Sequence, residues 1–356
     1  MNRKSPARLR QRVRPGTAAS RPDPAAGEGD APLPYPSGWF GLALSREVPA
    51  GAVVNRRFMG RDAVLYRTGS GVLRVVDAHC PHLGAHLGAG GVVDGEHLVC
   101  PFHRFAFDLG GSCVKVPDGA PPRMALTRFT VRERGGIVYV WHGNGAEPPG
   151  WEPSELPDDA FAPAASWSTL LTSHPQEVME SFVDYRHQPI VHGVALREVA
   201  PPVEEGPLLR VSFGATIALS LRLATITVEQ GLVLSGPGLA SGEVALHRVG
   251  TTLAVVLMAT PVGPWRTHLR AVVAAETASR AGSPLLRKAA SASGSAVMGQ
   301  ALVRTIAHQM RQDARIWNAK RYEPDPPLAP EEGAIGQYRR WVRQFYPPDP
   351  GAAGAT

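Results

Sequence analysis

The chain has 356 residues, 44% of them hydrophobic and 19% charged, and a formal net charge of +6. This is the composition of an ordinary globular protein, long enough for two domains. It contains no run of about eighteen apolar residues, so no membrane span is expected. Three cysteines leave no disulfide framework, which fits a reducing cytoplasm.

The positive charge is concentrated at the start, where Arg3, Lys4, Arg8, Arg10, Arg12, Arg14 and Arg21 face only Asp23, Glu28 and Asp30. The same stretch is rich in proline, alanine and glycine and has no apolar core of a secretory signal. Residues 1–36 therefore read as a disordered, solvated basic tail, with no nucleic-acid role assigned to it.

Order is expected from Trp39-Phe40. Short alternating runs follow at Val53–Phe58, Ala63–Tyr66, Val72–Val76, Leu98–Val99, Cys113–Val116, Leu126–Val131 and Ile137–Trp141, separated by glycine-rich turns. They predict an all-β domain over 37–146 with ligand pairs at hairpin tips. Those pairs are Cys80-Pro81-His82 and Cys100-Pro101-Phe102-His103. Each offers one thiolate and one imidazole, so the four can divide by type between two irons. Cys80 and Cys100 would hold one iron, His82 and His103 the other, which is the ligand split of a Rieske [2Fe–2S] centre. A tetrahedral zinc site is the alternative, but zinc sites usually pair like ligands in sequence. Gly84, Gly88, Gly90, Gly91, Gly110 and Gly111 are expected to let backbone N–H groups approach the cluster. His86 and His97 fit neither ligand position, and Cys113 reads as a small buried apolar residue.

A Gly/Pro-rich break at Gly143–Pro153 precedes a second domain over 147–347, and 348–356 reads as another disordered tail. Pro175–His187 has a helical apolar pattern broken at Pro189. Runs at Leu208–Phe213, Ala215–Thr227, Gly242–Val249, Thr252–Val262 and Thr267–Ala275 predict one large antiparallel sheet. Few breakers interrupt Pro284–Tyr322, so a long C-terminal helix should pack on that sheet. The fold class is thus multidomain, an all-β domain followed by an α+β domain.

The segment around Pro189 holds a second candidate metal site. Asp184 and His187 are three apart, on one helix face, and His192 follows beyond the proline. Two histidines and one distant carboxylate make the facial triad of non-haem Fe(II) oxygenases, and Asp313 on the long helix is the carboxylate chosen. Glu177 and Glu180 compete for that role but suit capping or supporting positions better. The segments Ile217–Leu223 and Leu253–Leu257 are possible walls of a substrate pocket, with ordinary core as the alternative.

On these motifs the chain resembles the oxygenase component of a Rieske non-haem iron oxygenase, over about residues 37–347. The segments Asp313–Tyr322 and Gly336–Tyr346 are similar to 3-ketosteroid 9α-hydroxylase oxygenases and cholesterol 7-desaturases. His82–Gly88 is equally similar to aminopyrrolnitrin oxygenase. Ser181 and Ala334 depart from the steroid-type pattern. The resemblance implies one [2Fe–2S] cluster and one mononuclear Fe(II) per chain, O₂ as co-substrate, and a homotrimer. It also implies that electrons cross between subunits, with Asp184 bridging His187 to a neighbour's His103. The activity it implies is hydroxylation or desaturation of an apolar, steroid-like or polycyclic substrate. Arylamine or heterocycle oxygenation and non-catalytic electron transfer are the alternatives. No G-x-G-x-x-G motif is present, so a ferredoxin or a flavin NAD(P)H reductase is expected to supply electrons.

Overall fold

The computed structural model describes residues 33–143, 148–153, 161–218, 225–228, 231–246, 251–276 and 284–347. Of the expected tails at 1–36 and 348–356, residues 1–32 and 348–356 lie outside them. Tyr35, from the expected tail, packs edge-on against His142 with ring centroids 6.3 Å apart, so described structure starts before Trp39.

The first part is all β. A three-stranded sheet is built from β1 (Gly38–Leu44), β9 (Val131–Arg134) and β10 (Ile137–His142), in the order β1-β10-β9. A second contains β2 (Val53–Phe58), β3 (Arg61–Arg67) and β4 (Leu73–Asp77) in sequence order. Met59 and Gly60 join β2 to β3 with φ of 48° and 76°, a two-residue loop whose left-handed pair matches strand twist. Four short strands, β5 (Val92–Asp94), β6 (His97–Val99), β7 (Ala106–Phe107) and β8 (Cys113–Lys115), form the ligand-bearing sheet. The expected strand at Leu126–Val131 is reduced to isolated bridges, such as Val76 with Arg128, and the ladder starts only at Val131.

The second part centres on seven antiparallel strands. They are β11 (Phe161–Leu171), β13 (Val203–Glu205), β14 (Leu208–Ser212), β17 (Gly231–Ser235), β18 (Leu239–Leu246), β19 (Thr251–Gly263) and β20 (Arg266–Glu276). Their order is β11-β20-β19-β18-β17-β14-β13. The run Ala215–Thr227 does not join them. Its described ends, β15 (Gly214–Ala218) and β16 (Thr225–Val228), pair with each other and with β12 (Ala195–Arg197) in a separate sheet. A contiguous β-branched run reports strand propensity, not which partner its edge will find.

Both faces of the large sheet are covered. One face carries Leu253, Val255, Leu257 and Ala259 of β19 and Leu269, Ala271 and Val273 of β20 in one core with Leu302, Val303, Met310 and Trp317. The last four come from α2 (Pro284–Trp317), the expected long helix. The other face packs Val256, Met258 and Val272 against Trp39, Ile137, Tyr139 and Trp141 of the first part. A Cβ on Gly41 of β1 would lie 2.0 Å from Met258 Sδ, so this closeness requires glycine. Thr260 Oγ1 also donates to the Gly41 carbonyl at 2.8 Å.

Two helix ends differ from the sequence expectation. α2 stops at Trp317, short of Tyr322; beyond it Asn318 Oδ1 accepts the Thr172 N–H and Lys320 pairs with Glu177. α1 (Pro175–Glu180) is only six residues long, so Asp184 and His187 do not share an α-helix. Tight turns at 181–184 follow, and a π-helical turn, Gln188–His192, holds Pro189 in its first positions. A proline there costs no hydrogen bond, since its missing N–H would have had no partner in the helix. α3 (Gly333–Val342) closes the same face, with Tyr338 and Trp341 buried. Among the described residues no helix is long and apolar enough to cross a membrane.

His174 caps α1: its Nδ1 accepts the Gln176 N–H at 3.2 Å, and the residue is 3% exposed. Burial pushes its pKa down to about 4. The unfolded chain therefore takes up this proton first, so stability present above the unfolded pKa near 6.5 falls as pH drops toward 4. We expect about 2 kcal/mol of this loss between pH 7 and pH 5. Denaturant unfolding at the two pH values should show a smaller difference for His174→Asn, which keeps a capping acceptor that does not titrate. An unchanged difference would remove His174 from the pH dependence.

Candidate metal centres

The two cysteine loops repeat one backbone design. Cys80 donates its N–H to Ala85 O at 2.9 Å and Cys100 donates to Phe105 O at 2.9 Å, five residues on in each case. Gly84 and Arg104, four residues after each cysteine, donate back to the cysteine carbonyls at 2.9 and 3.2 Å. Both take left-handed backbone, with φ of 72° and 58°. Matching loops present matching ligands, and unlike residues paired in sequence become like residues paired in space. Cys80 and Cys100 lie close enough for each thiol to influence the other's ionisation, while the His82 and His103 rings have centroids 4.8 Å apart.

The two pairs differ in environment. Both cysteines are buried, whereas His82 is exposed and His103 half-buried. Burial, with a further contribution from Cys100, pushes the Cys80 thiol up to about 11, against a backbone hydrogen bond from His82 that favours the thiolate. Such thiols stay protonated near neutral pH unless a metal displaces the proton. The donor set thus fits a cluster whose sulfur ligands are shielded and whose imidazole edge meets solvent. A Cβ on Gly88 would lie 1.4 Å from Asn55 Oδ1, so glycine here also lets the Asn55 side chain approach. His86 accepts the Gly88 N–H through Nδ1, His97 is half-buried, and Cys113 is buried near Lys115 O.

The second constellation joins residues more than 120 positions apart. Among the described residues, His187, His192 and Asp313 are the group of three donors lying within 4.8 Å of one another. Asp313 Oδ1 is 3.1 Å from His192 Nε2 and 3.9 Å from His187 Nε2. The π turn explains the histidines: its i→i+5 bonding brings residues five apart together, and the ring centroids are 5.2 Å apart. The Asp313 side chain is 4% exposed, and its Oδ2 is buried without a hydrogen-bond partner. A buried carboxylate with one orphaned oxygen, its other oxygen facing two Nε2 atoms, is what a cation would satisfy, and two histidines with one carboxylate suit Fe(II). Burial lowers the His192 pKa, but its hydrogen bonds to Asp313 and Gln312 and the Asp313 charge outweigh it and raise the value.

Asp184 stands behind His187. Its Oδ1 accepts the His187 N–H at 3.3 Å and its Oδ2 is 3.5 Å from Nδ1, while its backbone carbonyl lies 2.6 Å from the same Nδ1. Burial opposes ionisation of Asp184, yet the hydrogen bond and charge of His187 hold its carboxyl below the usual range. Glu177 and Glu180 are committed elsewhere. Glu177 accepts from Ser173 Oγ and pairs with Lys320 at 3.1 Å, and Glu180 receives Arg339 through two bonds of 2.6 and 3.1 Å. Arg339, Lys320 and Gln312 carry no local spacing signal that marks them as partners of this site.

Two cavities of opposite character reach the triad. One, of about 970 Å³ with its mouth, lies between α2 and the large sheet and touches His192. Its walls include Phe182, Phe213, Leu232, Val255, Leu257, Leu302, Ile306 and Met310, with Gln188 and Gln309 as side-chain amides. Glu243 borders it, but Glu243 pairs with Ala254, so its side chain takes the opposite sheet face from Val255 and Leu257. Of the expected wall Leu253–Leu257, Val255 and Leu257 line the cavity while Leu253 and Val256 are ordinary core, and the side chains of Ile217–Leu223 lie outside the described residues. The other cavity, of about 430 Å³, is lined by Glu177, Glu180, Asp184, Lys320, His187 and Asp313.

Comparison with known proteins agrees with this anatomy. Residues 38–130 match the Rieske [2Fe-2S] domain, and residues 140–346 match the 3-ketosteroid 9α-hydroxylase C-terminal domain. The chain is 31% identical over 330 residues to cholesterol 7-desaturase of Bombyx mori, covering 88% of this chain and 70% of that protein. It is 27% identical over 340 residues to the oxygenase component of 3-ketosteroid-9-alpha-monooxygenase of Rhodococcus rhodochrous, covering 89% and 85%. In fold it is similar to dicamba monooxygenase, with a TM-score of 0.60 at 18% identity, covering 86% and 96% of the two chains. NdmA of Pseudomonas putida CBB5 gives 0.63 at 16% identity, covering 86% and 89%. A catalytic-domain match over more than half the chain, following a Rieske match on the cysteine loops, makes this protein a member of the Rieske non-haem iron oxygenase family, an oxidoreductase that uses a [2Fe–2S] cluster and a mononuclear iron.

Proposed function

We propose that this chain hydroxylates or desaturates an apolar, polycyclic substrate of steroid-like shape, using O₂ and electrons from a ferredoxin or flavin reductase. The observation that carries the reading is the meeting of His187, His192 and Asp313 beside an apolar cavity whose wall includes His192. Cys80, His82, Cys100 and His103 are assigned to the cluster, and His187, His192 and Asp313 to the iron. When bound, the cluster supplies single electrons and the iron activates O₂.

The protein's own part is positional. Phe182, Leu232, Val255 and Leu302 exclude water and hold hydrocarbon against the His192 side of the centre. Gln309 lies one helical turn before Asp313 and offers an amide to a single oxygen function. The carboxylate-lined cavity gives water and protons a separate approach at His187 and Asp313.

The same reading assigns a cytoplasmic homotrimer. Leu83 and Phe102, 65% and 61% exposed, flank the cluster histidines, and Ile190, 80% exposed, lies on the turn between His187 and His192. Apolar residues at both ends of the electron path are suited to cover each other between copies, with Asp184 hydrogen-bonded to His187 and to the next subunit's His103.

Three outcomes are expected. Chemically reduced, iron-loaded protein offered a sterol, a steroid ketone and an arylamine in single turnovers with O₂ should convert a steroid, read by mass spectrometry. Conversion of the arylamine alone would replace the steroid reading, and cluster oxidation with every compound unchanged would reject the panel's chemistry. Asp184→Asn should keep iron and acid-labile sulfide at wild-type levels while slowing product formation about 10- to 100-fold. Finally, Leu83→Asp with Phe102→Asp should give a smaller species by light scattering with its cluster absorbance intact. A trimer of unchanged size would exclude this surface from the interface.

A further inference from the structure

We propose that Gln312 is a positioning residue of the mononuclear centre, holding His192 in the tautomer and orientation that turn Nε2 toward the metal. The inference rests on the assignment of His187, His192 and Asp313 as ligands. An imidazole can bind a metal through either nitrogen, and the hydrogen bond at the other nitrogen decides which. The two histidines solve this differently. His187 Nδ1 faces the Asp184 backbone carbonyl at 2.6 Å, a contact made within its own turn. His192 has no such local carbonyl among its contacts. Its Nδ1 lies 2.9 Å from Gln312 Oε1, a side chain of α2 120 residues away.

The local geometry suits the role. Gln312 and Asp313 are consecutive on α2, and successive helical residues point about 100° apart. Asp313 therefore reaches the front of the triad, 3.1 Å from His192 Nε2, while Gln312 reaches the back of the same ring. The imidazole is clamped between adjacent side chains of one helix, and its side chain is 2% exposed. A carbonyl oxygen at Nδ1 can only accept, so Nδ1 keeps its hydrogen and Nε2 presents its lone pair. The clamp also fixes the π turn to α2, so the histidines and the aspartate cannot drift apart independently. Unlike Asp184 behind His187, Gln312 brings no charge. It sets direction without adding a second anion beside Asp313.

The test uses the full chain with its cluster in place and its mononuclear metal removed, titrated with Co(II) and followed by the cobalt absorption bands. Gln312→Met keeps length and removes the acceptor; Gln312→Glu keeps an acceptor that can only accept. We expect Gln312→Met to weaken Co(II) binding about 10- to 100-fold. Gln312→Glu should bind at least as tightly as wild type, and the cluster absorbance should be the same in all three. Wild-type affinity in Gln312→Met, or a loss in Gln312→Glu equal to that in Gln312→Met, would overturn the proposal. His192→Ala separates the two layers of the argument: it should abolish the cobalt bands, and if they persist there the ligand assignment itself falls.

Discussion

The structure is organised around one costly group, the Asp313 carboxylate. It is almost wholly buried, one oxygen has no hydrogen-bond partner, and no lysine or arginine pairs with it among the described contacts. A carboxylate in that state needs a positive charge near it, and among the described residues the neighbours aimed at it are two imidazoles. A divalent cation answers the need, since all three donors can then point inward. Much of the surrounding architecture keeps those donors from relaxing elsewhere. Glu177 and Glu180, the nearest competing acids, are neutralised by Lys320 and Arg339, so neither draws the histidines away.

That arrangement depends on the large sheet having both faces filled. α2 can carry Asp313 to the centre because Leu302, Met310 and Trp317 lock it onto one face. The sheet under it is held flat against the first part by Trp39, Tyr139 and Met258 on the other face. Gly41 is a small residue with a large consequence here, since any side chain would push β1 off Met258. A disturbance at that interface is far from the metal, yet it acts on the platform that sets the reach of Asp313. Close-packed interiors transmit such strain because they have little room to absorb it.

The sequence revealed the parts that chemistry constrains and hid those that only packing constrains. Cysteine and histidine at fixed spacing are legible because a cluster accepts few other ligands, and the loops around Cys80 and Cys100 follow. The long helix is legible because Leu302, Ile306, Met310 and Asp313 recur at its period. The end of α1 was not, because tight turns at 181–184 have no proline or glycine to announce them. Ala215 and its successors looked like one more strand of the large sheet, and only pairing with β12 shows otherwise. Gln312, Arg339 and Lys320 are polar residues on helices or just beyond one, and such residues are usually solvated. Their partners lie more than a hundred residues away, so no window of sequence contains both halves of the interaction.

The two cavities give the proposed chemistry a direction. An apolar substrate gains free energy by leaving water, so it enters where Phe182, Phe213 and Leu232 line the wall, on the His192 side. Charged and hydrated species gain nothing there and are favoured in the cavity of Glu177, Glu180, Asp184 and Lys320, on the His187 side. In the proposed reading the electron also arrives at His187, through Asp184. Substrate thus comes from one side of the triad, and electrons, protons and water belong to the other. The two histidines then have unlike duties. His187 is backed by a carboxylate that couples it to the electron source, while His192 is backed by a neutral amide and walls the substrate space. A negative charge behind His192 would draw water into the apolar cavity, and a neutral group behind His187 would weaken its link to the cluster. The difference between Asp184 and Gln312 is therefore a consequence of which cavity each histidine faces.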